Sequence, residues 1–354
     1  MPTSPRKDFS SDNITGVAPK ILAAIQAASV GTVHSYGADP HTDALRHHAN
    51  ELFERAVAIV PVATGTAANA IALSVLARPY QAIYCPASAH VNTDECGAPE
   101  FFSNGAKLLG LPSEDGKLVP GQLTEAVAFA RSMGVHHVEP AAVTLSQATE
   151  WGTIYRLEEL AALCTEAHSL GLRVHMDGAR FANAVARLGC TPAEATWKVG
   201  IDALSFGATK NGALAAEAIV VFDPSLLTEL EYRRKRSGHL WSKHRFLSAQ
   251  LSAYIADGLW LANGRQSNAM ADRLAAGLAA IAGARCLQSV DANEIFIQLP
   301  ESVIAALRAA GFEFYDWPAP PAGASGPVVR LVTSFDMVEA DIDGFLAIAR
   351  QPAG

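Results

Sequence analysis

Little in this 354-residue chain suits a secreted scaffold, a membrane or a nucleic acid. Its five cysteines, Cys85, Cys96, Cys164, Cys190 and Cys286, are an odd number without paired C-x-x-C spacing. That argues against a disulfide framework and against a cysteine zinc cluster, so no metal is expected and a reducing cytoplasm fits best. No apolar run reaches the roughly eighteen residues of a membrane span, and residues 1–12 are polar, without the apolar stretch of a signal peptide. Neither secretion nor membrane insertion is expected, and Asn13-Ile14-Thr15 then matches a glycosylation sequon by chance. Positive charge is also scarce: the formal net charge is -8 and the pI is near 5.8. Binding to phosphate backbones draws on clustered Lys and Arg, so nucleic acid is not an expected partner. The basic run Arg233-Arg234-Lys235-Arg236 breaks the acidic trend and reads first as a solvated helix face. Internal repeats and low-complexity tails are absent as well.

What is present is apolar patterning. At 50% hydrophobic and 18% charged, the chain has ample core for two unequal lobes. From about residue 55 to 225, short apolar runs alternate with segments of helical period, the pattern of βαβ units and parallel sheets. The fold class is therefore α/β. Candidate strands are 57–62, 82–85, 142–145, 172–176, 203–206 and 218–222, most ending at a polar or glycine-containing turn, where chemistry in such sheets usually sits. Residues 157–170 form a crossover helix that stops at Gly171. After Asp223-Pro224 the texture turns helical, over 226–236, 246–261 and 269–282. Alternation resumes at 294–299 and 328–332, with a Pro/Gly-rich loop at 318–327, which predicts a small C-terminal α+β domain. The division expected is an N-terminal segment 1–30 that contributes to the active site, a large domain 31–255 and a small domain 256–354.

Four strand ends carry residues with chemistry. In Ala63-Thr64-Gly65-Thr66-Ala67-Ala68-Asn69 an apolar run meets Gly65 between two threonines and then a helix-forming stretch. Free N-H groups at a helix start bind a phosphate, although the same pattern is also an ordinary N-cap. In His175-Met176-Asp177-Gly178-Ala179-Arg180 a strand ends in a carboxylate. Asp177 either caps the next helix or keeps a pyridine nitrogen protonated, making the ring an electron sink. Lys210 follows Ser205-Phe206-Gly207-Ala208-Thr209 in a small, uncharged neighbourhood. It is either a capping lysine or a partly desolvated, nucleophilic amine directed at an aldehyde. His90, after the second strand, either caps a helix or lies on the face of a ring as stacking partner and acid or base. Arg330, a charge inside the strand 328–332, needs an anion if it points inward, and its planar guanidinium can grip a carboxylate.

The order of these elements decides among the readings. Phosphate cup, histidine, aspartate and lysine follow one another, each at the end of a different expected strand. In this the chain resembles the fold-type I, aspartate aminotransferase-like enzymes that use pyridoxal 5'-phosphate, and most closely the low-specificity L-threonine aldolases. The resemblance spans nearly the whole chain through Phe9-Ser10-Ser11-Asp12-Asn13-Ile14-Thr15-Gly16, Tyr36-Gly37-Ala38-Asp39-Pro40, the cup, His90 to Pro99, His175 to Arg180 and Thr209-Lys210-Asn211-Gly212. It is strongest to a bacterial branch carrying Asp94-Glu95-Cys96-Gly97-Ala98-Pro99-Glu100-Phe101-Phe102. It implies a large domain with a mostly parallel mixed sheet, Lys210 as the Schiff-base lysine, Asp177 on the ring nitrogen and His90 stacked on the ring. Thr64, Gly65 and Thr66 would hold the phosphate, while Ser11, Arg180 and Arg330 would surround the substrate carboxylate or the ring hydroxyl. A homo-oligomer, a tetramer or dimer of dimers with active sites at subunit interfaces, is implied too. The basic segment near Arg236, with Lys243, His244 and Arg245, resembles one that reaches a neighbouring subunit's phosphate.

The implied reaction is retro-aldol cleavage of L-threonine, L-allo-threonine or related substrates such as phenylserine to glycine and an aldehyde. Many such aldolases carry a second histidine in a Thr-His-Asn run before a Gly-Gly turn. This chain has Ser146-Gln147-Ala148-Thr149-Glu150-Trp151-Gly152 there, so His90 or a water would have to act on the substrate hydroxyl. Transamination, β-elimination and non-catalytic cofactor binding are the alternatives.

Overall fold

The computed structural model describes residues 6–318 and 326–351. Eleven strands are present among them: β1 Ala58–Val62, β2 Gln81–Pro86, β3 Lys107–Leu111, β4 Glu139–Ser146, β5 Arg173–Gly178, β6 Ala203–Phe206, β7 Glu217–Val221, β8 Arg285–Cys286, β9 Glu294–Gln298, β10 Tyr315–Trp317 and β11 Val328–Val332. The first seven form one sheet in the order β1-β7-β6-β5-β4-β2-β3, and the last four form a smaller sheet in the order β10-β11-β9-β8. In the large sheet only β7 runs antiparallel to its neighbours, while every pair in the small sheet is antiparallel.

The large sheet is covered on both faces, and the alternation of side chains along each strand feeds two cores. Tyr84, Val143, Leu145, Met176, Leu204 and Val220 enter one; their neighbours Ile83, Ala142, Ala203 and Ile219 enter the other. A fully buried Val, Leu or Ile contributes about 1.5–3 kcal/mol relative to exposure. Double-sided burial is why these strands are apolar along their length rather than in alternation. The expected strands at 203–206 and 328–332 coincide with β6 and β11, and the other expected strands shift by no more than a few residues.

Several elements differ from expectation, the short strands β8 and β10 among them. Edge strand β3, Lys-Leu-Leu-Gly-Leu, is half exposed and carries Gly110, so it lacks the apolar run that marks its neighbours. The two helices expected over 246–261 and 269–282 are instead Arg245–Ile255 and one long helix, Leu259–Ala279. They are separated at Asp257 and Gly258, both with positive φ. The loop expected over 318–327 lies largely outside the described residues. The N-terminal segment belongs to the smaller sheet's core: Phe9 is fully buried there, its N-H donates to Glu313 O at 2.8 Å, and its carbonyl accepts from Val332 N at 2.8 Å. No described helix is long and apolar enough to cross a membrane.

Candidate active site

Because β7 reverses direction between β1 and β6, those two strands point the same way as β2 to β5. The segments leaving β1, β2, β5 and β6 therefore emerge at one edge of the sheet. Thr64 follows β1 and caps the helix Gly65–Leu76, its Oγ1 accepting from Ala67 N at 3.1 Å. The amides of Gly65 and Thr66 stay without intrahelical acceptors at the positive end of the helix dipole. A Cβ added at Gly65 would meet nothing within 4 Å, so the backbone there faces open space.

Asp177, near the end of β5, is 7% exposed. Its Oδ1 accepts from Ala179 N at 3.0 Å and its Oδ2 from Asn69 Nδ2 at 2.8 Å. Asn69 Nδ2 also donates to Glu95 Oε1 at 2.8 Å, and the same oxygen accepts from His90 Nδ1 at 2.8 Å. One hydrogen-bonded chain thus joins Asp177 to His90 across two helices. The bond to Glu95 raises the His90 pKa, while burial raises that of Glu95. Behind Asp177 the buried His175 lies 2.8 Å from Thr144 Oγ1 and 3.0 Å from Ser205 Oγ. Burial lowers its pKa to about 4, so the ring is neutral and fixed between two hydroxyls.

Lys210 sits in the short turn Thr209–Asn211 after β6. Glu217 of β7 holds that turn, its Oε2 accepting from Ala208 N at 2.8 Å and its Oε1 from Thr209 N at 3.3 Å. Asn211 Nδ2 anchors the far side on Tyr254 Oη at 2.7 Å and Trp260 O at 2.8 Å. The amine opens into a cavity of about 370 Å³ shared with Thr64, Gly65, Thr66, His90 and Asp177. An adjoining recess brings Asn69, Glu95, Glu150 and Arg180 to Gly65, Thr66, His90, Asp177 and Lys210.

Arg180 is tied to two buried acids. Its Nε and Nη2 donate to Asp12 at 2.8 and 3.1 Å, and its Nη1 is 2.8 Å from Glu294 Oε2. Burial opposes its charge, but Asp12 and Glu294 outweigh that and raise its pKa. Arg330 lies on the other side of Glu294, with Nη1 3.9 Å from Oε1, Nη2 donating to Ser10 O at 3.0 Å, and the guanidinium over the Trp317 ring at 4.9 Å. Ser11 caps the turn Asp12–Ile14 through Asn13 N at 3.1 Å. The cavity edge thus gathers Thr64, Gly65, Thr66, His90, Asp177, Arg180 and Lys210, while Ser11 and Arg330 join it through Asp12 and Glu294.

The basic run is less solvated than its composition suggests. Arg234 is 5% exposed, paired with Glu231 and 3.3 Å from the buried His244. Sequence reasoning assigned no role to Asn69, Glu95, Glu150, Glu217 or Glu294. Glu150 had one legible signal, a lone charge in the otherwise uncharged run 140–155.

The arrangement fits a phosphorylated pyridine aldehyde. Helix-start amides offer the anion site, Asp177 an acceptor for a protonated ring nitrogen, and Lys210 an amine with no hydrogen bond or ion pair among the described residues. Asn69 Oδ1, Glu95 Oε2 and Glu150 Oε2 are buried without hydrogen-bond partners, a polar wall suited to a ligand.

Comparison with known proteins points the same way. The profile of the beta-eliminating lyases matches residues 8–302. The chain is 45% identical over 340 residues to a low specificity L-threonine aldolase of Pseudomonas sp., covering 96% of each sequence. It is 43% identical over 348 residues to a low specificity L-threonine aldolase of Pseudomonas aeruginosa, covering 98% of this chain and 97% of the relative. A threonine aldolase structure from Leishmania major superposes with a TM-score of 0.90 at 30% identity, covering 98% of this chain and 99% of that one.

Proposed function

Since the chain belongs to the beta-eliminating lyase family, and within it to the low-specificity L-threonine aldolases, we propose that it cleaves L-threonine, L-allo-threonine and related L-β-hydroxy-α-amino acids to glycine and an aldehyde, using pyridoxal 5'-phosphate. The observation that carries this reading is the single cavity onto which Lys210, Asp177 and the Gly65–Thr66 helix start all open. When bound, the cofactor supplies an electron sink for the pair released from the Cα–Cβ bond. Asp177, held by Asn69 and Ala179, keeps a proton on the ring nitrogen. Thr64, Gly65 and Thr66 hold the phosphate. His90, fixed by Glu95, would hold the ring from one face. Lys210, whose amine has no hydrogen bond or ion pair among the described residues, would be the residue that holds the cofactor through its aldehyde. Arg180, with Ser11 and Arg330, receives the substrate carboxylate and so orients the bond to be broken.

The test is a visible spectrum of the purified protein, then glycine and aldehyde assays with threonine, allo-threonine and phenylserine. Lys210→Ala is expected to lose the cofactor absorbance and nearly all turnover; full activity in that variant would sink the assignment. Amino transfer to added pyruvate would favour transamination instead. Residues 1–30 serve in this reading as a segment contributing to the site, beside a large domain 31–255 and a small domain 256–354. Copies of the chain assemble as a homo-oligomer, supported by Phe101 and Tyr232, each 77% exposed beside Arg233 and Arg236. The five free cysteines suit a cytoplasmic setting.

A further inference from the structure

Glu150 has no part in the roles above, yet it stands where the family's Thr-His-Asn run is missing, in the recess with His90, Asp177, Arg180 and Lys210. Its two oxygens differ in circumstance. Oε1 accepts from His90 N at 2.9 Å and from the Ser146 hydroxyl, and these two donors fix the plane of the carboxylate. Oε2 is buried without a hydrogen-bond partner. We propose that Glu150 is the general base that takes the proton of the substrate β-hydroxyl as the carbon–carbon bond breaks. This rests on the aldolase reading given above.

A buried acceptor without a donor is unfavourable, and a substrate hydroxyl entering the recess supplies the missing donor. The obvious competitor is His90, but its imidazole is already committed. Its Nδ1 bonds Glu95, its Nε2 faces Asp94 at 3.6 Å, and the Glu95 bond favours the protonated ring, which cannot accept. Burial moves the Glu150 carboxyl the useful way, up to about 7, where it is both available as carboxylate and basic enough to share a proton near neutrality.

The step balances without an added reagent. The hydroxyl proton passes to Glu150 Oε2, the former O–H pair becomes the second bond of the aldehyde carbonyl, and the Cα–Cβ pair stays with the glycine fragment. Glu150 then gives its proton to solvent while Cα takes one up separately, so the net proton count is unchanged, the carboxylate is restored and nothing is oxidised or reduced.

Two reactions separate this role from a structural one. Aldehyde release needs the β-hydroxyl proton removed; exchange of the glycine α-hydrogen with deuterated water does not. In Glu150→Gln, aldehyde release is expected to fall at least about a hundredfold, while cofactor absorbance and glycine exchange stay within about threefold of the unsubstituted enzyme. Aldehyde release within about threefold of the unsubstituted rate would overturn the proposal, as would equal loss of release and exchange. Should the glutamine variant fail to hold the cofactor, Glu150→Asp provides the second arm. It is expected to retain absorbance and exchange with slowed release, and unchanged release would overturn the proposal. Unsubstituted enzyme that exchanges glycine but releases no aldehyde from any β-hydroxy amino acid would instead overturn the aldolase reading, and this one with it.

Discussion

Asp12 and Glu150 are both acids with buried carboxylates, and their surroundings drive them in opposite directions. For Asp12 burial is the largest influence and pushes the pKa up, but the charges of Arg180 and Lys210 and the hydrogen bonds from Arg180 and Asn293 together outweigh it and hold the carboxyl below the usual range. Glu150 has no such cation, and burial prevails. A depressed folded pKa gives stability that is present above the unfolded value of about 3.9 and is lost as pH falls through the folded value. Asp12 is thus expected to stabilise fully at neutral pH and to lose its contribution below about pH 4. Asp12→Ala leaves Arg180 buried with only Glu294 and is expected to cost about 3–5 kcal/mol at pH 7, read from urea denaturation. The difference from the unsubstituted protein should shrink in acid; a constant difference would contradict the ion-pair account. At this scale Lys210, Asp177, His90 and the Thr64–Thr66 cup were legible because each follows an apolar run. Glu95, Glu217 and Glu294 were not, because each is defined by partners that only folding brings near. The bond from Asn69 to Glu95 spans 26 positions of sequence, and that from Asn69 to Asp177 spans 108.

The elements were legible where burial was two-sided and hidden where it was not. Strands β2, β4, β5, β6 and β7 form an apolar series that periodicity finds, whereas half-exposed β3 and two-residue β8 do not stand out. The helix boundary at Asp257-Gly258 was missed because neighbouring apolar residues continue across it, and a left-handed turn leaves only Gly258 as its mark. The close approach of β5 and β6 has a testable cost. A Cβ at Gly207 would lie 2.5 Å from Ala179 O and 2.7 Å from Gly178 O, both backbone atoms that cannot simply rotate away. Gly207→Ala is expected to lose about 1–3 kcal/mol. By moving the Lys210 turn away from Asp177, it should also weaken cofactor binding, with thermal unfolding and cofactor titration as the two measurements. Unchanged cofactor affinity in a destabilised variant would show that the spacing of the two strand ends does not set the site.

Across the whole molecule, the N-terminal segment stitches the two sheets together. Phe9 packs in the smaller core at 4.8 Å from Phe345, Asp12 reaches Arg180, and Ala18 N donates to Gly212 O beside the Lys210 turn. Phe9→Ala is expected to cost about 3–5 kcal/mol of stability and to raise the KM for amino acid more than it lowers kcat, because Asp12 would lose its fixed place beside Arg180. Steady-state kinetics at saturating cofactor tests this, and an unchanged KM would refute it. The arginine cluster that Asp12 helps to build is neutral on its own account: the positive charges of Arg180 and Arg330 face the negative charges of Asp12 and Glu294. A carboxylate arriving there meets an Arg180 guanidinium already engaged at all three nitrogens, so its entry at Arg180 is a partner exchange, while Arg330 keeps a buried Nε without a hydrogen-bond partner. Glu294, whose carboxyl burial already holds above its usual range, is the partner placed to give way by taking up a proton. Selectivity then lies in displacement: a ligand must outbid an acid the protein already supplies, and a weak, monodentate anion has little with which to do so.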